Sequence, residues 1–252
     1  MSYFVEKNSI VRKIWGKSDT VLFIFAGAAA EFALNKAVDW LYFTGRLPAN
    51  PLERLFSTVT YARKIIFAEN EPALKIIDSI ADIHKVVEHN RGRSIPAWAY
   101  RDVLYMLIHY TTASYEVLER KLSLEEKKEI FDVFYRFGSR MKLQGLPDNY
   151  SEWLIQRSQD IKNDLEKSDY TIDLYHQYKK HLGSVRYFIL IEGQKLIIPP
   201  LVRKLLGYSK FSLLSFFLPF YRLSRLIKLD SIIKGIILPN KYKREIAELD
   251  VL

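Results

Sequence analysis

The sequence predicts an all-α protein, organised as a single helical domain over residues 1–252 with its core between about residues 9 and 245. Three observations carry this. Helix start and stop signals recur along the chain, no run alternates polar and apolar residues as hairpins require, and neither a strand–helix–strand alternation nor an internal repeat is present.

The elements follow in order. The run "VLFIFAGAAA" (21–30) is followed by Glu31 and is too short for the roughly 20 apolar residues that cross a bilayer, so it reads as a buried helix. In "ANPLERLFSTVTYARKIIF", Asn50 stands as N-cap, Pro51 at the first helical position and Glu53 in the first turn. "NEPALKIIDSIADIHKVVE" repeats the plan with Pro72 near its start and stops at the breaker "HNRGRSIP". "AWAYRDVLYMLIHYTTASYEVLERK" reads as a long aromatic-rich helix. "LSLEEKKEIFDVFYRFGSRMKL" opens with a capping box from Ser123 to Glu126, and "LPDNYSEWLIQRSQDIKNDLEKS" is again capped and amphipathic. Beyond residue 184 the pattern is less regular. There "YFILIEGQKLIIPPLVRKLLGY" leaves room for a short strand, followed by a loop at Pro199-Pro200 and another helix.

Composition narrows the function. The chain is 49% hydrophobic and 14% aromatic, enough to bury a large core. It has no cysteine, which excludes disulfides, cysteine-bound zinc or iron–sulfur clusters, and thiol catalysis. The start, "MSYFVEKNSIVRKIWGK", shows no apolar h-region or cleavage site, and "FSLLSFFLPF" (211–220) is again too short to span a membrane. The expected location is cytoplasmic, either soluble or peripheral to a membrane. Of the net charge of +9, +6 falls on residues 201–252, interleaved with Leu, Ile, Phe and Tyr. Residues 201–244 therefore suit an anionic membrane surface, or equally a solvated face over a core. Nucleic acid is not expected as a partner, since no zinc-finger, RNA-recognition or helix-turn-helix pattern stands out.

Most catalytic signatures are absent: there is no G-x-G-x-x-G, P-loop, G-x-S-x-G or H-E-x-x-H. A carboxylate-bridged di-iron bundle needs paired E-x-x-H units. The residues three before His84, His89, His109 and His181 are Ala81, Val86, Met106 and Tyr178, and Asp173 with His176 alone fits loosely. What remains is two histidines on apolar faces. At 3.6 residues per turn Ile77, Ile80, Ala81, His84 and Val87 fall in one stripe, and a histidine there must either find a hydrogen bond or ligate something. His109 is flanked at helical spacing by Tyr105, Met106, Thr112 and Ala113. Each, taken singly, reads most simply as a satisfied core residue. Together, without cysteine, they suit a cofactor that takes one imidazole and an apolar slot, haem being the obvious candidate. His89, His176 and His181 have polar surroundings and are expected to be solvated. The 16 tyrosines read as packing.

In their order and spacing, "IWGKSDTVLFIFAGAAAEFAL", "NPLERLFSTVTYARKIIFAENEPAL", "IADIHKVVEHNRG", "VLYMLIHYTTASYEVLER" and "GLPDNYSEW" resemble the rubber oxygenase (latex clearing protein) and MpaB-type oxygenase family. The family's R-L-x-x-T falls on Arg54, Leu55 and Thr58, its H-x-x-V on His84 and Val87, and its W-V-H-A-T-like helix on Ile108, His109 and Thr111. The resemblance implies an all-helical fold with a buried pocket for haem b. His84 would be the proximal iron ligand, Arg54 and Thr58 would lie at the haem edge or distal side as catalytic and cofactor-binding groups, and His109 would be a pocket residue. Ser57 stands where rubber oxygenases carry a lysine that can cap the iron, so no lysine-capped state is expected. Glu31 and Asp39 are the candidates for the family's catalytic glutamate. The implied function is a haem-dependent oxygenase or oxidase using O2 on a small hydrophobic substrate, a prenyl chain among the options. The alternative is a non-catalytic haem-binding or membrane-surface helical protein.

Overall fold

In the computed structural model, residues 2–45 and 49–226 are described, apart from the side chains of residues 52–56, 225 and 226. Among them are eleven helices and no strand. These are α1 (Ile10–Trp15), α2 (Ser18–Phe32), α3 (Val38–Phe43), α4 (Pro51–Phe67), α5 (Asn70–Arg91) and α6 (Ala97–Leu118). They are followed by α7 (Leu124–Arg140), α8 (Tyr150–Asp164), α9 (Asp169–Ile197), α10 (Pro200–Leu206) and α11 (Leu214–Leu226). The all-α expectation holds.

The most apolar segment lies deepest. A helix that is hydrophobic on nearly every side must be covered on every side, and α2 buries Val21, Ile24, Phe25, Gly27, Ala30 and Glu31. It runs along α6, whose inward face carries Tyr105, Ile108, Tyr110, Thr111 and Ser114. Trp15 of α1 closes one end of this pair: it is fully buried, meets Phe25 edge-on at 6.0 Å and donates its indole N–H to Thr111 Oγ1 at 3.2 Å. Gly27 allows the close approach. A Cβ there would stand 2.2 Å from the Tyr110 ring and 2.8 Å from Ile197, so neither neighbour could remain in place. Gly27→Ala is expected to destabilise the fold by about 1–3 kcal/mol through overpacking, despite its better helix propensity, and denaturant unfolding reads this directly.

Local signals set the helix ends as the sequence requires. Ser123 and Glu126 form the reciprocal capping box of α7, and Asn149 caps α8 by accepting from the Ser151 and Glu152 amides. Pro199 ends the previous element and α10 begins at Pro200. The short strand does not form: residues 187–197 are the last turns of α9. Gly183 takes φ 73° and ψ 169° inside α9 and so breaks the helical path just before this segment. A period read across that position fails, while each half is regular.

α5 is fastened at both ends. At its start, Asn70 N–H donates to Ser2 O at 3.0 Å and Tyr3 bridges Glu69. At its end, Arg91 and Arg93 both reach Asp39 Oδ2, at 2.6 and 2.8 Å, and the Arg91 guanidinium lies 4.1 Å from the Trp40 ring centroid. Between these clamps, Ala73 and Ile77 are its fully buried residues.

Candidate functional site

The site residues fall at two levels along α6. At the first, His84 sits half-buried on α5 in the stripe with Ile77, Ile80, Ala81 and Val87, while Asp82 and Lys85 face solvent. Its ring meets Tyr100 of α6 edge-on, with centroids 5.2 Å apart and planes at 85°. Tyr100 is in turn held by Glu88 Oε1, which accepts from its hydroxyl at 3.3 Å and from the Ile95 amide at 2.8 Å. Burial and the Glu88 carboxylate raise the Tyr100 phenol well above its usual range, so it stays protonated as a donor. A cavity of about 250 Å³ adjoins this contact, lined by Ala81, Lys85, Glu88, Tyr100, Met141 and Leu143 among others. It falls short of the roughly 300–1,000 Å³ of clefts that enclose cofactor-sized ligands.

α4 packs against α5 as the other arm of a helical hairpin. At 1.5 Å per residue, Arg54 and His84 each lie about 20 Å from the connecting turn, so the two positions are level, with Thr58 one turn nearer the turn. Thr58 is half-buried. The Arg54 side chain lies outside the described residues.

His109 occupies the second level, two and a half turns beyond Tyr100 on α6, or about 14 Å along the axis. Its ring stacks edge-on against Tyr110, the Ile197 carbonyl accepts from it, and its buried Nε2 has no hydrogen-bond partner among the described residues. Burial, reinforced by the nearby Arg157 charge, depresses its pKa to about 4, so the imidazole is neutral near pH 7. The structure therefore does not bring His84 and His109 face to face.

Next to His109 is a buried ionic cluster. Glu31 of α2 is fully buried; its Oε1 lies 2.5 Å from Arg157 Nη1, and its Oε2 accepts from Arg157 Nη2 at 2.5 Å and from the Tyr110 hydroxyl at 2.8 Å. Asp39 is held by Arg91 and Arg93. Both carboxylates weighed as counterparts of a catalytic glutamate are thus engaged in ion pairs that tie helices together. Sequence reasoning passed over Arg157 and over Asp102, which is buried on α6 and accepts from Asn35 Nδ2 at 2.6 Å. Burial raises the Asp102 pKa to about 7, and the Asp164 and Asp160 charges add to the shift. The signal was present: Asp102, Tyr105, Met106 and His109 share one helical face, so Asp102 interrupts an apolar stripe as His84 does.

No group of three or more His, Asp or Glu able to hold a metal ion occurs among the described residues. No helix among them is long and apolar enough to cross a membrane. His89 and His176 are exposed, and His181 is half-buried.

No curated protein and no solved structure matches the chain. A family model does, that of the ER-bound oxygenase mpaB/B'/Rubber oxygenase catalytic domain, over residues 13–209. That span runs from α1 through α10 and includes both arms of the hairpin, α6 and the buried ionic cluster. The chain therefore belongs to the MpaB/rubber oxygenase catalytic-domain family.

Proposed function

We propose that this protein is a haem-b-dependent oxygenase acting on a small hydrophobic substrate, with His84 as the residue that would hold the iron. The observation that carries this reading is the placement of His84: a half-buried imidazole in an apolar stripe, level with Arg54 across a two-helix hairpin, within a region matching an oxygenase catalytic domain. The imidazole suits the group, although the adjoining cavity of about 250 Å³ is smaller than the group. A lone imidazole is a poor site for a bare ion, whereas the iron of a haem would need little more from the protein than one such donor and apolar walls.

Bound haem would supply the activation of O2. The chain supplies the rest. Ile77, Ile80 and Val87 keep water from the imidazole, Tyr100 fixes its ring from the edge, and Glu88 fixes Tyr100. Arg54 and Thr58, one turn apart on α4, would hold an anionic group such as a carboxylate of the cofactor through guanidinium and hydroxyl donors. His109, neutral at physiological pH, is assigned as a pocket residue and not as a ligand.

The test is an absorption spectrum with a pyridine haemochrome assay. Wild type is expected to show a Soret band that His84→Ala loses or shifts and that His109→Ala retains. A wild type that stays colourless after reconstitution with haemin overturns the proposal. Oxygen uptake in proportion to product, with prenyl compounds as first substrates, distinguishes an enzyme from a haem protein without turnover.

A further inference from the structure

Helix α11 is fastened to the protein by polar contacts: the Tyr221 hydroxyl donates to Asp19 Oδ2 at 2.9 Å and Arg222 donates to the Val117 carbonyl, with Leu214 and Leu218 half-buried beside them. The preceding turn is fixed just as firmly, with Ser212 Oγ donating to Glu192 O at 2.8 Å and the Leu213 amide to Glu192 Oε2 at 2.6 Å. Its three phenylalanines face outward. Phe216, Phe217 and Phe220 are 64, 63 and 72% exposed, with Phe211, Leu213 and Leu223 exposed beside them. Val185 and Phe188, also exposed, share the face of α9 that carries Glu192, the residue holding this turn, and so extend the patch. Scattered exposed apolar side chains are ordinary, but a contiguous aromatic patch held in place by polar contacts beneath it marks a contact surface.

Charge selects the partner. Residues 201–226 contain Arg203, Lys204, Lys210, Arg222 and Arg225 and no Asp or Glu. A protein partner would need to match the patch in shape. A bilayer of anionic lipid needs only aromatic side chains at the acyl boundary and cations at the headgroups, which is what this segment offers. We infer that the Phe216–Phe217–Phe220 face of α11 inserts into the interface of an anionic membrane and holds the protein there peripherally. The inference is independent of haem.

Because the chain has no cysteine, Phe217→Cys gives a single labelling site for an environment-sensitive fluorophore, and Lys128→Cys on the exposed side of α7 gives its control. The probe is the full chain mixed with vesicles of phosphatidylcholine and phosphatidylserine, two to one. The label at 217 should brighten, shift to the blue and be quenched by doxyl-labelled lipid, while the label at 128 should not respond. Phe216→Ser/Phe217→Ser/Phe220→Ser, with an unchanged circular dichroism spectrum, should lose vesicle partitioning by about a hundredfold. Binding should weaken with salt and without phosphatidylserine. A label at 217 already buried without lipid, and unresponsive to vesicles, overturns the inference. If that burial is independent of protein concentration, residues 227–252 of the same chain cover the face; if it depends on concentration, a second copy does. Vesicle binding that survives the triple substitution also overturns it.

Discussion

Replacing Arg157 by Leu is expected to remove about 3–5 kcal/mol of stability, the cost of leaving the Glu31 carboxylate buried without its counter-charge. The reasoning follows from position. Glu31 is fully buried between α2, α6 and α8, so water cannot replace the guanidinium, which donates from Nη2 to Oε2 and sets Nη1 2.5 Å from Oε1. Glu31→Leu should cost a similar amount by stranding Arg157. The double variant Glu31→Leu/Arg157→Leu should be more stable than either single one, because no buried charge remains. What it leaves unpaired is the Tyr110 hydroxyl, at about 1–3 kcal/mol. Chemical denaturation of the four proteins measures the coupling. Single variants that lose less than about 1 kcal/mol would show that the pair is not sealed in solution.

A second large effect concerns pH. Asp102 and His109 lie two turns apart on the inner face of α6, and burial pushes them in opposite senses: the carboxyl up to about 7, the imidazole down to about 4. For His109 the unfolded chain binds the extra proton, so its contribution to stability rises with pH from about 4 to 6.5, by up to about 3 kcal/mol. For Asp102 the folded chain binds the extra proton, so its contribution falls as pH rises from about 4 to 7, by up to about 4 kcal/mol. Between pH 4 and 6.5 the two slopes oppose each other, and wild type should change little on their account. Asp102→Asn, which keeps an acceptor for Asn35, should expose the histidine slope and become more stable toward neutral pH. His109→Gln should show the reverse, with stability declining as pH rises. Unfolding free energies at pH 4.5, 5.5 and 6.5 decide it; parallel curves for all three proteins would contradict the assignment.

Much of the architecture was readable because its signals are local. The Ser123–Glu126 box, the Pro199-Pro200 break and the unbroken apolarity of 21–30 each act within a few residues. The phase change at Gly183 was not, since a glycine does not announce its dihedral angles and helical periodicity is computed on the assumption that phase is continuous. The same division applies to the site. The stripe bearing His84 was legible from spacing alone. The partnership of Glu31 with Arg157 joins residues 126 apart, and neither residue's neighbours in sequence specify the other. Asp102 was legible by the same rule that singled out His84.

Helix α5 behaves mechanically as a beam clamped at both ends. Ser2 and Tyr3 grip one end; Asp39 and Trp40 grip the other through Arg91 and Arg93. Past Ile77 its span is lightly seated, with no fully buried side chain before the far clamp. Such a beam gives most readily in the middle, where His84 is, and recoils to the same register because its supports do not shift. A displacement of α5 at that point draws first on half-buried side chains, while the clamps at its two ends hold.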